Sequence, residues 1–535
     1  MASSPASSGP NRHLARCLAV ALLAMATSAV LRAATPARPN ILFILTDDQS
    51  PRSVSAYPEA YPWVKTPHTD QLAREGVRFA PAYIGANCIP ARATLLTGLH
   101  STGIQSLTRA AQGPARDGGR LPEFWPRVFR RHGYHTAHIG KWHTDGGTGH
   151  GVDWDFQKTW SRLVGGREAN LNYQVNQLIS TNGGPPEPAP GYSTDNYTRW
   201  AVEYLRERGR EPGRPWYLWL CYDAPHGPFI PADRHRQDYP VVDVPTPAGI
   251  YPPRPGKPGY MQHVATWEPG PGGTPQLRER HYEADGVLKR YRATESFPRS
   301  LPDWVRRYQQ TVSAVDEGVG AVLRALDDIG QRENTLVVFT SDQGLAIGQH
   351  GFFDKHAPYD ATIAAPLIVR FPGRAPAGAT CAATVGGVDL VPTFFRAAGI
   401  PLPWPMHGRD LTPLLERPET PWPHPTLLPY TIGAWGDDTV RIPDESATPL
   451  PARGFRVPWW VLYREGRYKY IRTLVPGEFE EVYDLASDPG EQANLATDAR
   501  HRATVERLRA AALAELRRTG ASFTERLPPV GQSAR

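Results

Sequence analysis

A chain of 535 residues, 40% hydrophobic and 21% charged, carries ample apolar material for a large core, which excludes a wholly disordered protein. Its net charge of +6 comes from 59 basic and 53 acidic residues dispersed along the chain, so no basic run marks a nucleic-acid partner. The 56 prolines and 49 glycines gather between periodic segments and predict long surface excursions.

In chain order, Arg12, His13 and Arg16 precede an apolar run from Cys17 to Leu31, followed by Arg32-Ala33-Ala34. This is the layout of a secretory signal peptide over residues 1–34, with cleavage open among Ala26, Ala29 and Ala34. The run is short for a spanning helix of about 20 residues, so no stable membrane insertion is expected after its removal. The expected location is therefore periplasmic or extracellular. Beyond the signal only Cys88, Cys221 and Cys381 remain, too few for a disulfide framework, and a thiol kept in an exported protein invites a chemical role.

Residues 40–46 form a continuous apolar run that predicts a buried central strand, with Asp47-Asp48 at its carboxyl end. Open α/β sheets bind ligands at such ends. Helices are predicted over 69–77 and 121–132, Pro126 kinking the first turns of the second or shifting its start. A strand over 135–139 precedes a Gly-rich loop and a polar Pro/Gly stretch. A helix over 195–208 and a strand over 216–221 follow, ending at Asp223-Ala224-Pro225-His226. Residues 228–300 lack sustained periodicity and read as a long insertion, a natural place for substrate specificity. A helix over 302–329, a strand over 335–339 ending at Ser341-Asp342-Gln343-Gly344, a strand over 366–369 and a helix over 390–398 complete the alternation. The fold class is thus α/β, a large mainly parallel sheet with helices on both faces, in a main domain over 38–415. A proline-dense boundary leads to a smaller C-terminal α+β subdomain over 425–520. It should hold an antiparallel sheet, with a hairpin over 459–472 and a helix over 499–518, before a tail over 521–535.

Three predicted strands end in an acidic or histidine cluster, at Asp47-Asp48, at His226 and at Asp342-Gln343. Side by side, their carboxylates and amide form an all-oxygen set suited to Ca²⁺ or Mg²⁺. Cys88 lies just before Pro90 and a predicted helix, whose amino terminus would favour negative charge near it. On residue type alone, a cysteine in a Pro-containing loop reads as a small buried hydrophobe.

Cys88-Ile89-Pro90-Ala91-Arg92, followed by Leu96-Thr97-Gly98, resembles the signature of type I sulfatases, the formylglycine-dependent family of the alkaline-phosphatase-like superfamily. The resemblance extends in order through Asn40 to Asp48, Thr66-Pro67-His68-Thr69-Asp70, Gly140-Lys141-Trp142-His143, Ala224-Pro225-His226, Ser341-Asp342-Gln343-Gly344 and Val482-Tyr483-Asp484-Leu485. It implies that a maturation enzyme converts Cys88 to formylglycine, and that Asp47, Asp48, Asp342 and Gln343 bind one Ca²⁺, less favourably Mg²⁺, together with the modified Cys88. One hydroxyl of the hydrated aldehyde would attack sulfur. Arg92 and Lys141 would polarise that diol, and Lys141 with Lys355 would neutralise the sulfate. His143 would deprotonate the second hydroxyl and His226 protonate the leaving alcohol, although these two roles can be exchanged.

The expected substrate is a sulfated carbohydrate. A phosphonate or phosphate-diester hydrolase of the same superfamily, and a non-catalytic glycan-binding relative, are the alternatives. Three positions depart from the family pattern: Gln343 stands for asparagine, Ala364 for arginine and Ala91 for serine.

Overall fold

The computed structural model describes residues 1–2, 38–105, 124–144, 149–161, 172–278, 299–431, 434–445 and 457–531. The chain divides into Met1–Arg38 and Pro39–Arg535, and the expected signal segment falls, beyond its first two residues, outside the described residues. Among the described residues no helix is long and apolar enough to cross a membrane.

The sheet grows from β1 (Asn40–Thr46), every residue of which is buried. Its side chains alternate between two apolar clusters, Ile41, Phe43 and Leu45 in one and Leu42 and Ile44 in the other, so both faces of the strand are covered. Helix α1 (Pro67–Glu75) follows, and its first amides donate to the Asp316 carboxylate, at 3.1 Å from His68 and 2.8 Å from Thr69. That carboxylate caps the helix from a distant segment. The strand β2 (Val77–Phe79) begins where the sequence reading continued the helix; Val77 pairs in the sheet and faces the core instead.

Helix α2 (Cys88–Thr97) takes in Cys88 as its first residue, where the sequence placed Cys88 just before the helix, because the Asn87 side chain accepts from the Ile89 amide and caps it there. It ends at Gly98, whose φ of 71° is open to glycine, the Gly98 amide bonding back to the Thr94 carbonyl. Helix α3 (Trp125–Arg131) begins beside Pro126, the start that proline imposes; residues 121–123 of the expected helix lie outside the described residues.

Beyond β3 (His135–Lys141) the polar stretch holds three strands, β4 (Phe156–Trp160), β5 (Val175–Thr181) and β6 (Glu187–Tyr192), where loops were expected. They extend one sheet edge, and their mixed polar sequences lack the apolar runs of central strands. Helix α4 (Ser193–Gly209), β7 (Trp216–Cys221), the 28-residue α5 (Leu301–Asp328), β8 (Thr335–Ser341), β9 (Leu367–Arg370), β10 (Ala379–Cys381) and α6 (Gly387–Ala398) complete the layers. The ten strands run in the order β10-β2-β9-β8-β1-β7-β3-β4-β5-β6. The five from β8 to β4 are mutually parallel, while β9 runs antiparallel to β8 and the outer strands are mixed. The described part of the insertion is mostly irregular, with one small hairpin over Trp267–Pro269 and Pro275–Leu277.

A separate antiparallel sheet joins β11 (Thr426–Tyr430), β12 (Trp460–Glu465), β13 (Tyr468–Thr473) and β14 (Glu481–Asp484), with α7 (Arg502–Arg518) packed on it. Val505, Leu508 and Ala512 of α7 meet Tyr463, Tyr470 and Val482 of the sheet. Ala521 and Phe523, assigned to the tail from sequence, lie in the adjoining core.

Candidate active site

Four adjacent parallel strands, β8, β1, β7 and β3, release their chains at one edge of the sheet. Main-chain bonds knit this edge: the Asp342 amide donates to Thr46 and the Asp47 amide to Ala224, at 3.1 and 3.3 Å. Asp47, Asp342, Gln343 and Lys141, each fully buried, therefore meet at strand ends that are far apart in sequence. Lys141 can sit there only because Gly140 precedes it. Gly140 has a φ of 106°, and a Cβ on it would stand 1.9 Å from the Cys221 carbonyl oxygen.

Arg92, on the buried face of α2, donates to Asp47 Oδ2 at 2.9 Å, to Asp342 Oδ2 at 3.4 Å and to the Lys141 carbonyl at 3.1 Å. Lys141 Nζ pairs with the same Asp47 oxygen, while Lys355 Nζ reaches Asp48 Oδ1 at 2.8 Å. Asp48 itself has a φ of 65°, a left-handed conformation that is strained for a non-glycine residue. Its amide donates to Asp342 Oδ1 at 3.0 Å, and its carbonyl accepts from the Tyr308 hydroxyl at 2.7 Å. Ligand atoms of Asp47, Asp48 and His226 lie within 4.8 Å of one another.

Three carboxylates and three cations thus share one buried volume, and their electrostatics follow. Burial raises the Asp47 pKa, but Lys141, His226 and Arg92 outweigh it and hold the group ionised well below the carboxylate range. Asp342 is pushed up to about 7, by burial and then by Asp47. Burial opposes charge on Lys141 and Lys355, yet Asp47 and Asp48 respectively raise both and keep them cationic. The Cys88 thiol, 5% exposed, is pushed up by burial despite Lys355 and Lys141, so it stays protonated and is a poor nucleophile as it stands.

Two histidines flank the cluster. His143 is driven well below its ordinary value, by burial and then by Lys141, and its Nδ1 is buried with no hydrogen-bond partner among the described residues. His226 falls to about 4, chiefly through burial. Its Nδ1 lies 2.6 Å from the Gly227 carbonyl and so carries the proton, which leaves Nε2 as the exchanging nitrogen, 3.7 Å from Asp48 Oδ2. Tyr173 stacks on His226 at 4.5 Å and 4°, and Lys141 Nζ stands 5.4 Å from the same ring.

The residues fit a hard cation. Asp47 Oδ1 and Gln343 Oε1 are buried oxygens without hydrogen-bond partners among the described residues, set among carboxylates, and an all-oxygen set of this kind suits Ca²⁺. The Gln343 Nε2 donates to Asp48 Oδ1 at 2.5 Å, so the extra methylene relative to asparagine still delivers the amide to the cluster.

The Sulfatase family model matches residues 39–400. The chain belongs to the sulfatase family. It is 31% identical to the N-acetylglucosamine-6-O-sulfatase of Bacteroides thetaiotaomicron over 518 residues, covering 89% of this chain and 86% of that one. It is 25% identical to an ulvan-active sulfatase of Formosa agariphila over 476 residues, covering 86% and 77%. Among solved structures it superposes on a complex with D-glucosamine-2-N,6-O-disulfate as substrate. The TM-score there is 0.70 at 25% identity, over 92% of this chain and 99% of the other. It also shares the fold of a phosphonate monoester hydrolase from Silicibacter pomeroyi, with a TM-score of 0.67 at 21% identity, over 91% and 96%. The protein is therefore a sulfuric ester hydrolase.

In this sulfatase Asp47, Asp48, Arg92, Lys141, His226, Asp342, Gln343 and Lys355 form one connected cluster. Cys88 and His143 belong to it through the charges that act on them. Tyr308, Tyr173, Asn87 and His356, whose Nε2 lies 2.6 Å from Asn87 Nδ2, were not singled out from the sequence. Only Asn87 carried a local signal, an asparagine immediately before a helix; the other three act through folding alone.

Proposed function

We propose that the protein is an exported sulfatase that hydrolyses sulfate esters of carbohydrates, using a formylglycine made from Cys88 and one bound Ca²⁺. The observation that carries this reading is the convergence of Cys88, at the first turn of a buried helix, with Lys141, Lys355 and the acidic strand ends. The raised thiol pKa supports a reagent other than the thiol. Formylglycine would supply the hydroxyl that attacks sulfur. Bound Ca²⁺, held by Asp47, Asp48, Asp342, Gln343 and residue 88, would acidify that hydroxyl and hold sulfate oxygens.

The remaining steps fall to the chain's own side chains. Arg92, locked by three hydrogen bonds, keeps Asp47 and Asp342 in place and stays cationic beside the nucleophile. Lys141 and Lys355 neutralise the sulfate, Lys355 exchanging its hold on Asp48 for the substrate. His143, held neutral by its surroundings, takes the proton that must leave residue 88 for sulfate to be expelled. His226, its Nδ1 proton fixed by Gly227 and its Nε2 bare, relays through Nε2 to the departing alcohol the proton that the attacking hydroxyl releases. The domain division at about residue 415, with specificity drawn partly from 228–300, rests on the separate four-stranded sheet and the irregular insertion. Export rests on the basic and apolar layout of residues 12–34.

Support for a sulfated amino sugar comes from the 31% identical relative and the substrate complex of the solved neighbour. Sulfate release from N-acetylglucosamine 6-sulfate, D-glucosamine-2-N,6-O-disulfate and a panel of sulfated polysaccharides tests it, alongside mass spectrometry of the Cys88 peptide. Unmodified cysteine in fully active protein would refute the formylglycine reading. Aryl phosphonate cleaved faster than the matched aryl sulfate would favour the phosphonate hydrolase instead.

A further inference from the structure

Next to Lys355, and outside the sulfate-binding cluster, His356 adopts a φ of 82°, a conformation that residues with a Cβ rarely take. Its carbonyl accepts from Trp460 Nε1 of the C-terminal sheet at 2.7 Å, and its ring faces Tyr430 at 5.7 Å. Nε2 lies 2.6 Å from Asn87 Nδ2. An amide nitrogen can only donate, so Nε2 accepts and the imidazole is neutral. Burial favours that form.

The consequence is the orientation of Asn87. With Nδ2 committed to His356, Oδ1 must face the helix, where it accepts from the Ile89 amide at 3.4 Å and lies 3.8 Å from Cys88 Sγ. An Asn amide without such a partner is free to rotate and can present its NH₂ to the Ile89 amide, losing the cap. We propose that His356 is a positioning residue, which fixes the Asn87 cap and thereby the residue 88 nucleophile, and which ties both to the C-terminal sheet. The backbone strain at His356 is the kind retained where the surrounding structure enforces a functional geometry. This inference rests on residue 88 being the nucleophile.

The test uses full-length variants, 4-nitrophenyl sulfate as substrate, and rates normalised to the aldehyde content of residue 88 by mass spectrometry. A nucleophile displaced by a fraction of an ångström should lose about tenfold to a hundredfold in kcat. That loss is expected in H356A and N87A, with KM within about threefold. H356Q, whose Oε1 can accept in place of Nε2, should recover most of it. In an N87S background, where the hydroxyl caps without a partner, H356A should cost no more than about twofold. Unchanged kcat in H356A overturns the inference, as does a rise in KM alone, which would make His356 a substrate contact. So does an equal penalty for H356A in the N87S background. If H356A does not fold, N87A and H356Q decide the same question. Wild-type protein that carries the aldehyde yet releases no sulfate would overturn the sulfatase mechanism and this inference together. Active wild type with indifferent variants overturns the inference alone.

Discussion

Removing a single oxygen from Tyr308 should loosen the Asp48 turn without touching any group that meets the sulfate. In the native fold that hydroxyl donates to the Asp48 carbonyl at 2.7 Å and accepts from the Ser50 amide at 2.8 Å. Tyr308→Phe keeps the ring against Phe229, whose centroid is 5.3 Å away, and leaves both main-chain groups buried without that partner. Each costs about 1–3 kcal/mol, so unfolding should become easier by roughly 2–6 kcal/mol, less whatever an entering water restores. Asp48, held at a φ of 65°, would relax towards an ordinary conformation. Loss of such a support around a metal site weakens metal affinity by about tenfold to a hundredfold. The assays are urea unfolding followed by tryptophan fluorescence and a Ca²⁺ titration of sulfatase activity after chelation. The half-saturating Ca²⁺ concentration should rise while kcat at saturation stays within about threefold. A stability loss under about 0.5 kcal/mol with an unchanged Ca²⁺ requirement would refute the reasoning.

Three other perturbations probe separate parts of the molecule. Chelation with EGTA should abolish turnover and lower the melting temperature, with Ca²⁺ restoring both better than Mg²⁺; a ligand at a hundred times its Kd is worth about 2.7 kcal/mol. Full activity after exhaustive chelation would remove the cation from the mechanism. Burial lifts the Asp223 carboxyl from 3.8 to about 7, against the hydrogen bonds from Ser193 and Gln177. The stability this group contributes is therefore complete below pH 3.8 and is lost as pH rises through about 7. Asp223→Asn should flatten the fall in melting temperature across that window, and an unchanged slope would exclude Asp223 as its source. Arg254 binds four carbonyls of the insertion, those of Gly249, Ile250, Met261 and Val264, at 2.6 to 2.9 Å. Arg254→Met should open residues 249–264 to limited proteolysis while sparing turnover of a small aryl sulfate, and a protease-resistant variant would contradict that role.

The parts of the fold legible in the sequence are those where one force dominates. β1, β7 and β8 are apolar throughout because both faces of the sheet are covered, and the 28-residue α5 carries its periodicity for its whole length. Edge strands were missed where pairing outweighs local pattern. β6, with sequence EPAPGY, contains two prolines and a glycine, and only its place at the rim of the sheet makes it a strand. The antiparallel direction of β9 is likewise invisible locally, since direction is set by the connection rather than by the residues. In the site, Asp47, Asp48, His226, Asp342 and Gln343 were readable from their types and their positions at strand ends, whereas Cys88, Arg92, Lys141, His143 and Lys355 were expected only from the family resemblance. Their supports were not. Tyr308 is one tyrosine on an amphipathic helix, and His356 looks like a loop histidine until its partner 269 residues away is in place.

The burial of α2 also sets a schedule. Cys88 is 5% exposed, so the proposed maturation enzyme, which has to grip the segment around it, would have no access once the domain has closed. Closure cannot come early, because β1 has as its partners β7 and β8, and β8 ends at Ser341, 253 residues after Cys88. At roughly 5–20 residues per second of synthesis, that leaves about 10–50 s in which the segment is already made and still open. On the proposed conversion of Cys88 to formylglycine, sheet topology would act as a clock on that step. A sequence change that let β1 find a false early partner would shorten that interval, leaving a folded protein with an unconverted thiol and no turnover.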